Sequence, residues 1–197
     1  MACIDDIKKD LKETLSEERY LHTLGVCEMA VELAKKYGAD TKKAELAGLL
    51  HDCAKCMKKE ELLNFAKNNC TDLDEGETIN FKTLHAPVGA KIVCDKYKID
   101  DFEIISAIRW HTIGRVNMTL FDKIIFLADK IERKTREPEY REPIEKILNQ
   151  NEGEKGLNLA LLKCFEETIK SLVNRKLYIC KTTIDVYNWL LDITESL

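Results

Sequence analysis

The sequence predicts an all-α protein folded as one compact helical bundle. Only 8 Gly and 3 Pro interrupt the chain, and long stretches carry apolar residues at the spacing of a buried helix face. No internal repeat, low-complexity tract or linker divides it, so its 197 residues form a single domain.

The elements follow in order. A first helix occupies about 4–15. Ser16 caps the next, with Glu17 and Glu18 favourably placed in its first turn. That helix, about 17–37, is apolar on two sides: Tyr20, Leu24, Cys27 and Val31 form one stripe, and His22, Val26, Met29 and Leu33 another. It is therefore expected to be buried. Gly38 ends it, and Asp40 caps a helix running through Leu46, Leu49 and Leu50 into His51-Asp52. Residues 59–68 read as helix, and the polar, acidic stretch 69–82 as a long loop. A further helix starts near Leu84, with Pro87 harmless in its first turn. Asp100 with Glu103 resembles a capping box for a helix ending at His111, before Gly114. Thr119 caps the segment through Ile124, Leu127 and Ile131, and amphipathic helices follow at about 155–174 and 183–195.

Composition excludes several classes of function. Hydrophobic residues make up 45% and charged residues 34%, with a net charge of -4, so the whole molecule has no electrostatic reason to seek nucleic acid or an anionic membrane. No apolar run approaches the roughly 18 residues that span a bilayer. The first residues, Met1-Ala2-Cys3-Ile4-Asp5-Asp6, lack the basic start and apolar stretch of a signal peptide. The 8 cysteines then read as reduced thiols in the cytoplasm. Nothing sets the oligomeric state, and a homodimer fits as well as a monomer.

The chain has only 4 histidines: His22 on an apolar stripe, His51 followed directly by Asp52, His85 in the first turn of a helix, and His111 at the end of one. Asp129 is a carboxylate set among Phe126, Leu127, Ala128 and Ile131, where burial is costly without a cation beside it. Any one such histidine is more often a hydrogen-bonded core residue than a ligand. The joint pattern points elsewhere, because every imidazole can face inward and two acids accompany them. Imidazole and carboxylate together suit first-row metals such as iron, manganese or cobalt. Six ligands exceed what one open metal site needs, so two metals sharing Asp52 is the natural arrangement.

The order His22, His51-Asp52, His85, His111, Asp129 resembles the HD superfamily of metal-dependent phosphohydrolases. Four segments are similar to its YqeK family: Arg19-Tyr20-Leu21-His22-Thr23-Leu24-Gly25-Val26, Leu50-His51-Asp52-Cys53-Ala54-Lys55, Arg109-Trp110-His111-Thr112-Ile113-Gly114, and Phe126-Leu127-Ala128-Asp129-Lys130-Ile131-Glu132. The resemblance covers about 17–137, leaving 138–197 as helices packed on that core. It implies a di-iron pair and symmetrical hydrolysis of diadenosine tetraphosphate to two ADP. The chemistry expected is attack by a hydroxide bridging two metals. Asp52 and Lys55 are then the catalytic candidates. Arg19, Lys55, Thr112, Lys130, Arg133 and Arg136 are the candidate substrate contacts, with a small-molecule nucleotide as substrate and a homodimer possible as the assembly. Rival readings are a 5'-deoxynucleotidase, a guanosine alarmone hydrolase, a di-iron oxygenase and a non-catalytic nucleotide sensor. The Cys53–Cys56 CxxC lacks both the βαβ setting of a redox motif and the second pair of a structural zinc site.

Overall fold

The computed structural model describes residues 3–195. Among them there is no strand, and the chain forms eleven α-helices: α1 (Ile4–Thr14), α2 (Glu17–Tyr37), α3 (Thr41–Leu50), α4 (Lys59–Asn69), α5 (Glu75–Ile79), α6 (His85–Asp95), α7 (Phe102–Trp110), α8 (Leu120–Ile131), α9 (Pro138–Gln150), α10 (Gly153–Asn174) and α11 (Lys181–Glu195). The all-α reading holds. No helix is long and apolar enough to cross a membrane.

Helices α2, α3, α7 and α8 pack on one another as the inner group. Gly48 makes the α2–α3 contact close, because a side-chain carbon there would lie 2.7 Å from Cys27 Cα. Helix α8 is buried along nearly its whole length, from Phe121 through Asp129. Helix α6 lies against α7, and α4 against α6, over a smaller apolar cluster of Leu62, Ala66, Leu84 and Val88. The C-terminal layer reaches this core through α10, whose Phe165 ring stacks on Phe126 of α8 with centroids 4.7 Å apart.

Caps account for most boundaries. Ser16 accepts the Arg19 amide, Asp40 those of Lys42 and Lys43, and Thr119 that of Asp122 in a complete capping box. Three expectations need correction. The cap of α7 is Asp101, which accepts from Glu103 and Ile104, rather than Asp100. The stretch 69–82 contains α5 and enters a 3-10 turn at Phe81–Thr83, because Asp74 and Glu77 form a capping box there. Helix α9 was not anticipated: it buries only Ile144 and Leu148, and Pro143 sits inside it.

Candidate metal centre

Six side chains from five parts of the fold meet at one buried point. His22 comes from the middle of α2, His51 and Asp52 from the end of α3, His85 from the first residue of α6, His111 from the end of α7, and Asp129 from α8. None is more than 5% exposed.

Local backbone geometry aims the imidazoles. His51 and His111 cap their helices, and each donates its Nδ1–H to the carbonyl three residues back, Gly48 at 2.8 Å and Ile108 at 2.7 Å. His85 does the same to Lys82 at 2.6 Å. His22 lies inside its helix, where the carbonyls are already taken, so its Nδ1 reaches Glu132 Oε1 at 3.1 Å instead. Carbonyl and carboxylate oxygens only accept, which places the proton on Nδ1 in each ring and turns Nε2 inward. Fixing a ligand ring through its outer nitrogen in this way is what metal-binding histidines do.

The inward atoms converge on the two acids. Asp52 Oδ1 lies 3.0 Å from His85 Nε2 and 3.5 Å from His111 Nε2, while its Oδ2 lies 3.5 Å from His51 Nε2. Asp129 Oδ1 is 3.0 Å from His22 Nε2 and 3.9 Å from His51 Nε2. His51 therefore stands between the two halves. His22, His51 and Asp129 form one group able to hold an ion, and His51, Asp52 and His111 form another.

Two observations test whether a cation fits. His22 Nε2, His51 Nε2 and Asp52 Oδ1 are buried with no hydrogen-bond partner; each such orphan costs on the order of 1–3 kcal/mol. His85 Nε2 and His111 Nε2 face each other at 3.0 Å, although both nitrogens present lone pairs once Nδ1 holds the proton. A divalent cation among imidazole and carboxylate donors relieves both problems, so the residues fit.

Burial and neighbouring charge set the protonation states. Burial lowers the His85 and His111 pKa values, His111 to about 4, helped by the Lys55 charge and by the other imidazoles respectively. His22 goes the other way: burial opposes its charge, but Asp129 and Glu132 outweigh it. Burial alone would raise both acids. For Asp52 the electrostatic attraction of the His51, Lys55 and His85 side chains prevails, and for Asp129 that of Lys130 and Arg136, so both stay well below the usual carboxylate range.

Four of the anticipated basic residues reach the cluster. Arg19 bonds Asp52 Oδ2 at 2.8 Å, and Lys55 Nζ stands 3.1 Å from His85 Nε2. Lys130 and Arg136 bond the two oxygens of Asp129 at 2.8 and 2.7 Å. The Thr112 hydroxyl is buried and unpartnered. Arg133 is turned away: Glu32 and Glu145 hold its guanidinium, each at 2.9 Å, on the exposed surface. Of the CxxC, Cys53 bonds the Gly89 carbonyl and burial pushes its thiol up to about 12, so it stays protonated and unreactive.

Sequence reasoning passed over Glu132. It is fully buried, orients His22, and is itself held by the amides of Lys134 and Thr135 and by the Thr135 hydroxyl. Gly25 makes room for it, since a side-chain carbon there would fall 2.1 Å from Glu132 Oε2. The available signal was an acid three residues after Asp129, facing a glycine three residues after His22.

An all-helical core with this order of histidines and aspartates defines the HD class. The HD domain model matches residues 19–134, and the chain belongs to the HD-domain family, in its YqeK branch. It is 41% identical over 184 residues to the symmetrical bis(5'-nucleosyl)-tetraphosphatase of Halalkalibacterium halodurans, covering 92% of this chain and 93% of the relative. The protein of the same name from Bacillus subtilis is 39% identical over 195 residues, 98% of this chain and 96% of the relative. A crystal structure of a predicted HD superfamily hydrolase involved in NAD metabolism, from Clostridium acetobutylicum, covers 98% of both chains with a TM-score of 0.90 and 37% identity.

Proposed function

We propose that the protein is a metal-dependent phosphoanhydride hydrolase that cleaves diadenosine tetraphosphate symmetrically into two ADP. The observation that carries this reading is the set of inward imidazole nitrogens gathered around two buried acids, with basic side chains at both ends. The names of the relatives supply the substrate.

His22, His51, Asp52, His85, His111 and Asp129 hold two divalent ions, with iron as the reading and manganese or cobalt as substitutes. When bound, such ions supply Lewis acidity toward phosphoryl oxygens and an acidified water as nucleophile. The chain's own residues do the rest. Arg19 and Lys55 stand at the Asp52 end, Lys130 and Arg136 at the Asp129 end, so positive charge brackets the centre on both sides. A chain of four phosphates laid across it meets cations along each half, and the bond at its middle lies over the centre. Lys55 takes up charge on the phosphoryl oxygens nearest Asp52. The buried walls keep bulk water from screening these contacts. The core at 17–137 carries the chemistry, the helices of 138–197 complete the substrate site, and the enzyme works on free nucleotide in the cytoplasm.

Product analysis tests the reading. Anaerobically purified, metal-replete protein given diadenosine tetraphosphate is expected to release ADP as sole product. Release of ATP with AMP, or of inorganic phosphate from mononucleotides in preference, would overturn it.

A further inference from the structure

Beyond Asp129 the centre adjoins a cavity of about 290 Å³ whose far wall is α10, outside the residues matched by the HD model. Lys130 and Arg136 form its near wall, and both already touch the Asp129 carboxylate. Ser171 and Arg175, at the end of α10, face them across the gap.

Charge and geometry favour an anion in this cavity. Arg175 is exposed and has no carboxylate partner among the described residues. The acid in the lining, Glu167, is taken by Lys163 at 2.8 Å and Lys170 at 3.2 Å. Lys130 and Arg136 share the single carboxylate of Asp129 at 2.8 and 2.7 Å, so Arg175 adds a cation to a wall that already holds one more positive charge than negative. The backbone that carries Arg175 is ordered. Its amide bonds the Ser171 carbonyl at 3.1 Å, and Lys176, turned into the left-handed region at φ 52°, bonds back to Val173 at 3.0 Å. The backbone at the helix end is thus set, and the guanidinium it carries is free of partners; such a group suits a phosphate, which it can grip through two N–H groups at once.

We propose that this cavity is the subsite for the phosphates of the departing nucleoside diphosphate, with Arg175 as its anchoring cation. This rests on the proposed function only for the identity of the nucleotide. Symmetrical cleavage needs a grip on each half of the polyphosphate. Arg19 and Lys55 serve the half at Asp52; Lys130, Arg136 and Arg175 serve the half at Asp129.

The test compares Arg175→Ala with Lys12→Ala, which removes the same charge from an exposed position on α1, in metal-replete protein. ADP binding is measured by calorimetry, and KM and kcat for diadenosine tetraphosphate by product release. Arg175→Ala is expected to weaken ADP binding and raise KM about tenfold, with kcat moving far less, and Arg175→Lys to recover part of the loss. Lys12→Ala should bind ADP like the wild type. Equal ADP affinity in Arg175→Ala and wild type overturns the subsite, as does an equal loss in Lys12→Ala. Wild-type protein that leaves diadenosine tetraphosphate intact defeats the proposed function instead, while the ADP measurement still decides the subsite.

Discussion

Two clusters of buried charge lie within one helix of each other, and they are finished differently. Arg109 in α7 grips both oxygens of Glu77 at 2.9 and 2.8 Å, and also bonds the side chain and carbonyl of Asp72. Its guanidinium further lies over the Trp110 ring, 4.0 Å from the centroid. Two residues later His111 belongs to a cluster in which His22 Nε2, His51 Nε2 and Asp52 Oδ1 lack any hydrogen-bond partner. The first cluster is complete as it stands and pins the 69–82 segment against the core. The second is complete only with something added. A protein that satisfies one buried network and leaves acceptors open in its neighbour has built the second for a ligand.

Substitutions should separate the two. Asp52→Ala removes the acid that His51, His85 and His111 all approach, and should abolish metal loading and lower turnover by at least about 10³-fold, on the scale of losing a whole catalytic unit; full activity without bound metal would end the scheme. Arg109→Ala leaves the buried Glu77 carboxyl without its cation. It should cost about 3–5 kcal/mol in urea unfolding, while the surviving folded protein keeps its metal content; a loss of metal equal to that of Asp52→Ala would erase the distinction. Glu132→Gln keeps the shape but weakens the grip on His22, and should reduce metal affinity about 10- to 100-fold in a competition titration with a chelator.

The smallest effect concerns pH in metal-free protein. Folding holds His111 near 4 and also lowers His85, against an ordinary value of about 6.5. Between those limits the unfolded chain binds protons that the folded centre refuses, so stability is full above about 6.5 and is lost as pH falls toward 4. His22, shifted upward, offsets part of the loss. The urea midpoint should drop between pH 7 and pH 5, and an unchanged midpoint would show that these imidazoles are not held neutral.

The six residues were legible as a set because all four imidazoles could face inward beside two acids in an order that resembles the HD superfamily, and two of them are polar groups where helical spacing demands an apolar one. His22 interrupts a buried stripe, and Asp129 sits in a helix buried along nearly its whole length. Glu132 was not legible. It follows Lys130 and precedes Arg133, Lys134 and Arg136, so it looks like part of a solvated helix end; only the fold shows that its side chain turns inward at Gly25. Arg133 misled for the converse reason, since nearness in sequence to Asp129 says nothing about where a side chain in the turn after α8 points, and this one points outward to Glu32 and Glu145. The choice between Asp100 and Asp101 as cap depends on one backbone turn that two adjacent acids cannot reveal. Helix α9 escaped because its buried residues are too few to set a period.

Metal content per chain probes the idea of an unfinished centre most directly. Protein prepared without oxygen, loaded with ferrous or manganous ion and freed of excess, should retain two ions per chain by elemental analysis. The same preparation of Asp52→Ala, with its fold verified by circular dichroism, should retain none. Wild-type protein that keeps no transition metal after loading would contradict the account, whatever its activity.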